Sequence, residues 1–115
     1  MIEFINPSEE MPYIKFKEIY NRALSENQNN IEAINISSYS KKFNEVNSRF
    51  VNLKYVDKKD FFFFSNYNSP KAKEFDLHDQ ISASIFWGRS NVQIRMKAKI
   101  KKTSLTYNQN YFNKR

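Results

Sequence analysis

Between Arg49 and Lys71 the sequence gathers residues suited to holding an anion. Arg49 opens and Lys54 lies within one strand-like stretch whose apolar run is Phe50–Val56, and Ser65 closes a second run, Phe61–Phe64. A polar loop, Ser65-Asn66-Tyr67-Asn68-Ser69-Pro70-Lys71, follows and leads into a helical pattern. Free amides at a helix start favour phosphate, and a lysine beside them adds charge. Ser69 suits a cap and Pro70 the first helical position. Along a strand, side chains alternate faces, so Arg49, Val51, Leu53 and Tyr55 share one side and Phe50, Asn52 and Lys54 the other. From one regular strand, Arg49 and Lys54 cannot grip the same phosphate, but they can serve two neighbouring ones.

The elements that must position these groups follow from periodicity. Apolar residues at Ile14, Phe16, Ile19, Tyr20, Ala23 and Leu24 have helical spacing. They predict a helix over about 8–26, with Ser8 as cap, Glu9 and Glu10 in the first turn, and a stop at Asn27–Asn30. Met1–Asn6 has too few signals to place. Strands are expected over about 31–40, 48–56, 60–66, 80–87 and 91–102, with further helices over about 69–77 and 104–114. The runs Phe50–Val56 and Phe61–Phe64 read as two paired strands across the turn Asp57–Asp60, and the uniform phenylalanines predict burial on both faces. Lys41–Asn47 lacks the glycine of a tight hairpin and predicts a looser loop. Val92, Ile94, Met96, Ala98 and Ile100 alternate with Gln93, Arg95, Lys97, Lys99 and Lys101, which makes one face core and the other wet and basic. The fold class is mainly β with flanking helices, α+β, in a single domain spanning 1–115.

Composition excludes several chemistries. There is no cysteine, hence no disulfide and no thiolate nucleophile or ligand. Gly88 is the one glycine, which removes glycine-rich phosphate loops of the Walker and dinucleotide kinds. His78 is the one histidine, so neither a zinc cluster nor a Ser-His-Asp triad has support, and no metal ligand is assigned. No catalytic acid, base or nucleophile is assigned either. The sequence shows neither a secretion signal nor a membrane-spanning run, so a cytoplasmic protein with no membrane partner is expected, and the sequon at Asn35 is taken as chance. A formal charge of +7 invites an anionic partner, although a solvated basic surface accounts for it equally.

The order of motifs from Arg49 onward resembles the cofactor core of pyridoxamine 5'-phosphate oxidases. That family carries an Arg-x-x-x-x-Lys strand, here Arg49 to Lys54. A strand ending in aromatic, hydroxyl and Asn follows, here Phe64-Ser65-Asn66, and then a Ser-Arg-Lys turn, here Ser69-Pro70-Lys71. A Trp with a Gln six residues on matches Trp87 and Gln93, and a Tyr-Phe pair with a later Arg matches Tyr111-Phe112 and Arg115. The resemblance implies a small antiparallel split β-barrel of the flavin mononucleotide (FMN) type, truncated to about the first half of a family member. It implies FMN held by Arg49, Phe50, Val51, Lys54, Phe64, Ser65, Lys71 and Gln93. It also implies a phosphorylated substrate, pyridoxine or pyridoxamine 5'-phosphate, held by Lys54, Tyr111 and Arg115, in a homodimer with the flavin between subunits. Pro70 stands where the family has Arg, which removes one cationic contact and predicts weaker flavin binding.

Three functions stay open on the sequence: an FMN-dependent oxidase, a flavin or ligand carrier on the same barrel without turnover, and a nucleic-acid binder. The last draws on Lys58-Lys59 beside Phe61–Phe64 and on the basic face from Arg95 to Lys101. The short length fits a fragment, a naturally shortened relative, or a binding domain without its chemistry.

Overall fold

The computed structural model describes residues 1–64 and 77–101. The order of elements is β1 (Glu3–Ile5), α1 (Met11–Ser25), β2 (Ala33–Ser40), β3 (Glu45–Asn52), β4 (Tyr55–Asp57), β5 (Asp60–Phe62), β6 (Gln80–Trp87) and β7 (Val92–Lys99). They form two sheets, one in the order β3-β2-β6-β7 and one in the order β1-β4-β5. The larger is antiparallel throughout, while β1 adds the one parallel pairing among the described residues, Glu3 opposite Tyr55.

α1 starts later than its capping signals suggest. Glu10 is the N-cap, Pro12 lies in the first turn, and Glu9 and Glu10 precede the helix. Ser8 accepts a hydrogen bond from the Glu10 amide at 3.2 Å, two residues too early to cap the helix itself. The C-terminus closes sharply. Asn27 takes a φ of 58°, its amide bonds to Leu24 O, and the Gln28 amide reaches back to Ala23 O at 3.1 Å. That is a Schellman closure with asparagine in the left-handed position glycine normally fills.

Asparagine repeats this service elsewhere. Asn6, Asn30, Asn44 and Asn91 also have positive φ, as does Lys58. The short amide side chain tolerates the left-handed region better than most residues, so a chain with one glycine still turns tightly. The β2–β3 connection is therefore a compact hairpin, not the looser loop expected: Ser40 pairs with Glu45, Asn44 has φ 52°, and Ser40 Oγ accepts from the Phe43 amide at 3.3 Å.

The run Phe50–Val56 is not one strand. Its first part is in β3, paired with β2, and its last part is in β4, paired with β5. The transfer happens at Leu53 and Lys54. The Leu53 amide bonds to Glu32 O at 2.8 Å, while Lys54 donates to Phe62 O at 2.8 Å and accepts from the Glu3 amide at 3.1 Å. Leu53 is 1% exposed and anchors this crossing in the core.

The core joins both sheets to α1 through Ile2, Phe16, Tyr20, Ala23, Ile31, Ile34, Ile36, Val56, Ala83, Ile85 and Trp87. Tyr20 packs on Phe4 and Trp87, with ring centroids at 5.3 and 5.9 Å. Its hydroxyl accepts from the Ile2 amide at 2.7 Å, and Trp87 Nε1 donates to Ile31 O at 3.0 Å, so neither polar tip is buried at a loss. Phe61, Phe62 and Phe63 are half-buried, not covered on both faces as expected, because β5 is an edge strand of the small sheet. Phe61 meets Phe16 edge-on at 5.2 Å, and Phe62 stacks on Tyr55 at 4.7 Å.

Candidate functional site

Cross-strand partners in a sheet project to the same side. In the larger sheet, Arg49 lies opposite Ile36, Ile36 opposite Ala83, and Ala83 opposite Met96. Arg49 thus belongs to the inner, core-facing side, together with Val51, which pairs with Ile34. Arg49 is half-buried overall, and its Nη2 is buried. The next row runs Phe50, Asn35, Ser84, Arg95 and faces outward. Gln93, opposite Phe86, is on that outer side too.

The candidates therefore fall into separate groups. Arg49 and Val51 are on the inner face, while Phe50 and Gln93 are on the outer face. Lys54 is at the crossing between sheets, half-buried, with both backbone groups engaged by the smaller sheet. Phe64 follows β5 and meets Tyr55 edge-on at 6.5 Å. Ser65, Lys71, Tyr111 and Arg115, with the helices expected over 69–77 and 104–114, lie outside the described residues, apart from Leu77. Within one chain Arg49 and Gln93 are on opposite faces and on the two outermost strands, β3 and β7. Three strand spacings separate those strands, about 14 Å.

Three residues on the inner face escaped the sequence reading. β2 continues its inward alternation past Ile34 and Ile36 to Ser38 and Ser40, which are 7% and 1% exposed. Asn47 is directly opposite Ser38 and so joins Arg49 on that side. Following the period of β2 two steps further would have found them.

The outer face is sparsely covered. Val46, Phe50 and Phe86 are each about two-thirds exposed or more, at 69%, 73% and 67%. Arg95, Lys97 and Lys99 are exposed on β7 as its alternation requires. A hollow of about 170 Å³ between α1 and the smaller sheet is lined by Phe4, Ile14, Phe16, Val56, Lys17 and Lys58 among others, and includes none of the candidate residues. Among the described residues, no group of three or more His, Cys, Asp or Glu is placed to hold a metal, and no helix is long and apolar enough to cross a membrane.

A mainly β chain with a switch between a four-stranded and a three-stranded sheet is a split barrel, and solved structures share this fold. PhzG from Burkholderia lata, solved with tetrahydrophenazine-1-carboxylic acid, superposes with a TM-score of 0.83 at 14% identity, over 95% of this chain and 58% of that one. A pyridoxamine 5'-phosphate oxidase-related, FMN-binding protein from Nostoc punctiforme gives a TM-score of 0.65 at 11% identity, over 83% and 52%. In sequence, the chain is 30% identical over 112 residues to a pyridoxine/pyridoxamine 5'-phosphate oxidase of Rhodopirellula baltica, covering 96% of this chain and 50% of the relative. A Nostoc oxidase of the same name is 31% identical over 101 residues, covering 88% and 47%. No family model matches. The chain is related in sequence to pyridoxine/pyridoxamine 5'-phosphate oxidases, has a split-barrel fold, and spans about half the length of the curated relatives it matches.

Proposed function

We propose that the chain binds FMN in a site shared between two copies of itself, and that it acts on pyridoxine or pyridoxamine 5'-phosphate as its relatives are named for doing. The observation that supports this best is the inward Arg49 with its buried Nη2, on a strand that carries the family's Arg-x-x-x-x-Lys spacing. A guanidinium presents several N–H donors in a fixed fork that suits a phosphate. Its partial burial strengthens the attraction to an anion by lowering the local dielectric.

The division of the candidates between faces favours two copies. One ligand cannot touch Arg49 and Gln93 of the same chain around a four-stranded sheet. It can touch Arg49 of one copy and Gln93 of another if the outer face of the second covers the site. That face carries the exposed apolar side chains Val46, Phe50 and Phe86, which a subunit contact would cover.

In this arrangement Arg49, with Ser65 and Lys71, holds the phosphate, and Gln93 hydrogen-bonds the ring edge. Lys54, with Tyr111 and Arg115, orients the substrate phosphate. When bound, FMN supplies the hydride acceptor for the 4' carbon and passes the electrons to molecular oxygen. The chain's own residues supply orientation and charge.

A direct test is titration of the purified chain with FMN, followed by flavin fluorescence, and then assay of hydrogen peroxide from pyridoxamine 5'-phosphate. Saturable binding with peroxide production supports the oxidase. Binding without peroxide supports a non-catalytic flavin carrier, a second reading favoured by Pro70 in place of the family's Arg. A nucleic-acid role draws on the exposed Arg95, Lys97 and Lys99 beside exposed Phe86. Salt-sensitive oligonucleotide binding with no flavin uptake is the result that would favour it.

A further inference from the structure

The hollow between α1 and the smaller sheet has no part in the flavin reading. Its walls are apolar: Phe4 from β1, Ile14 and Phe16 from α1, and Val56 from β4. Lys17, half-buried, and Lys58, exposed, bring two cations to the lining. Among the described residues neither is in an ion pair. Lys17 Nζ is 5.5 Å from the centre of the Phe4 ring, so one charge is held over an apolar wall. Glu18 is the one carboxylate in the lining, and it is exposed and 3.8 Å from Lys15 Nζ.

Lys58 is also unusual in its backbone. It has a φ of 55°, and the five other residues with positive φ are all asparagines. A lysine is strained in the left-handed region, where asparagine is better tolerated. The turn is a two-residue one, because Asp57 pairs with Asp60, and the Lys58 amide ties it to Ile5 O at 3.1 Å. Its second residue, Lys59, has a structural task, since its ammonium pairs with Glu10. The strained lysine is the one that lines the hollow. Strain kept where the chain elsewhere uses asparagine points to a use for the side chain itself.

We infer that this hollow takes a small aromatic carboxylate, with its ring among Phe4, Ile14, Phe16 and Val56 and its charge between Lys17 and Lys58. Size limits the occupant. An apolar cavity of about 150 Å³ holds a benzene molecule. The hollow, at about 170 Å³, therefore holds one six-membered ring and is too small for a flavin. Charge selects the carboxylate, because two ammonium groups without ion-pair partners gain nothing from a bare hydrocarbon and form charge-assisted hydrogen bonds with an anion. The assignment stands apart from the flavin site.

Benzoate is the probe, followed through the amide resonances of the whole chain, with benzyl alcohol as the uncharged ring and acetate as the charge without a ring. Benzoate is expected to saturate with a dissociation constant in about the millimolar range and to move the amides of Ile14, Lys17, Val56 and Lys58. Benzyl alcohol is expected to bind several-fold more weakly, and acetate not to saturate. Lys58→Asn removes the ammonium and keeps a residue suited to the turn. It is expected to weaken benzoate about two- to five-fold, leave benzyl alcohol unchanged, and keep or raise the Tm. Lys17→Met keeps the apolar stem and is expected to act alike, and the double variant to bind benzoate no better than benzyl alcohol. A stable Lys58→Asn that has lost benzoate selectivity separates ligand binding from folding. Equal affinity for benzoate and benzyl alcohol in the wild type, no saturable binding of benzoate, shifts confined to other parts of the chain, or a double variant that binds benzoate as the wild type does would overturn the assignment.

Discussion

At the scale of single residues, burial follows from a side chain's row in the sheet, and a charge placed in an inward row is the exception that needs a reason. Arg49 is the foremost. Replacing it with alanine removes a charge-assisted contact of about 1.5–3 kcal/mol, which predicts a roughly ten- to hundred-fold loss of FMN affinity in a fluorescence titration. Arg49→Lys keeps the charge but not the planar fork, and is expected to recover only part of it. Tyr20 shows the same logic in the core. Burial pushes its phenol above the ordinary value of 10.0, with Glu32 adding to the rise and the Ile2 amide opposing it. A group whose folded pKa is raised contributes stability that is fully present below pH 10 and lost as pH climbs through the raised value. Alkaline denaturation should therefore begin above about pH 10, and Tyr20→Phe should flatten that limb. The same variant gives up the bond from the Ile2 amide at 2.7 Å and is expected to lose about 1 kcal/mol at neutral pH, measured by urea unfolding.

At the scale of elements, the crossing from β3 to β4 does most to define the fold. Leu53 is where the chain leaves one sheet for the other, and Leu53→Ala is expected to destabilise by about 2–5 kcal/mol. Little in the sequence announces this break. Neither Gly nor Pro marks it, and the apolar run continues through it, so periodicity reads a single strand. β1 was equally silent, because three residues give no periodicity and its parallel partner β4 is far along the chain. What periodicity does capture is the long elements. α1, β2, β6 and β7 follow their apolar spacing closely, and the alternation that put Arg49 with Val51 holds in the sheet. Alternation cannot say which side is the inner one until the strands are ordered, so the opposition of Arg49 and Gln93 was not legible. Turns failed for another reason. Asparagine takes the left-handed positions normally read from glycine, as at Asn27 and Asn44. Asn27→Ala is expected to cost about 1 kcal/mol through left-handed strain, and Asn27→Gly to be neutral or stabilising, both read by thermal unfolding.

At the scale of the whole molecule, the proposed flavin site needs groups from two chains. The larger sheet presents Arg49 inward from one edge strand and Gln93 outward from the other. Two copies resolve the geometry if the exposed Val46, Phe50 and Phe86 become a subunit contact. Sedimentation of the wild type is then expected to give a dimer. Phe50→Asp is expected to shift it toward monomer and release the flavin, without unfolding a chain in which this side chain is 73% exposed.

Subunit complementation tests the shared site most directly. Arg49→Ala and Gln93→Ala variants are each titrated with FMN alone, then unfolded together, refolded as a mixture and titrated again. A site built from both copies predicts weak binding by each variant alone and recovery of wild-type affinity at up to one site per mixed dimer. A mixture that binds no better than its parts, or a wild type that binds FMN as a monomer, would contradict it.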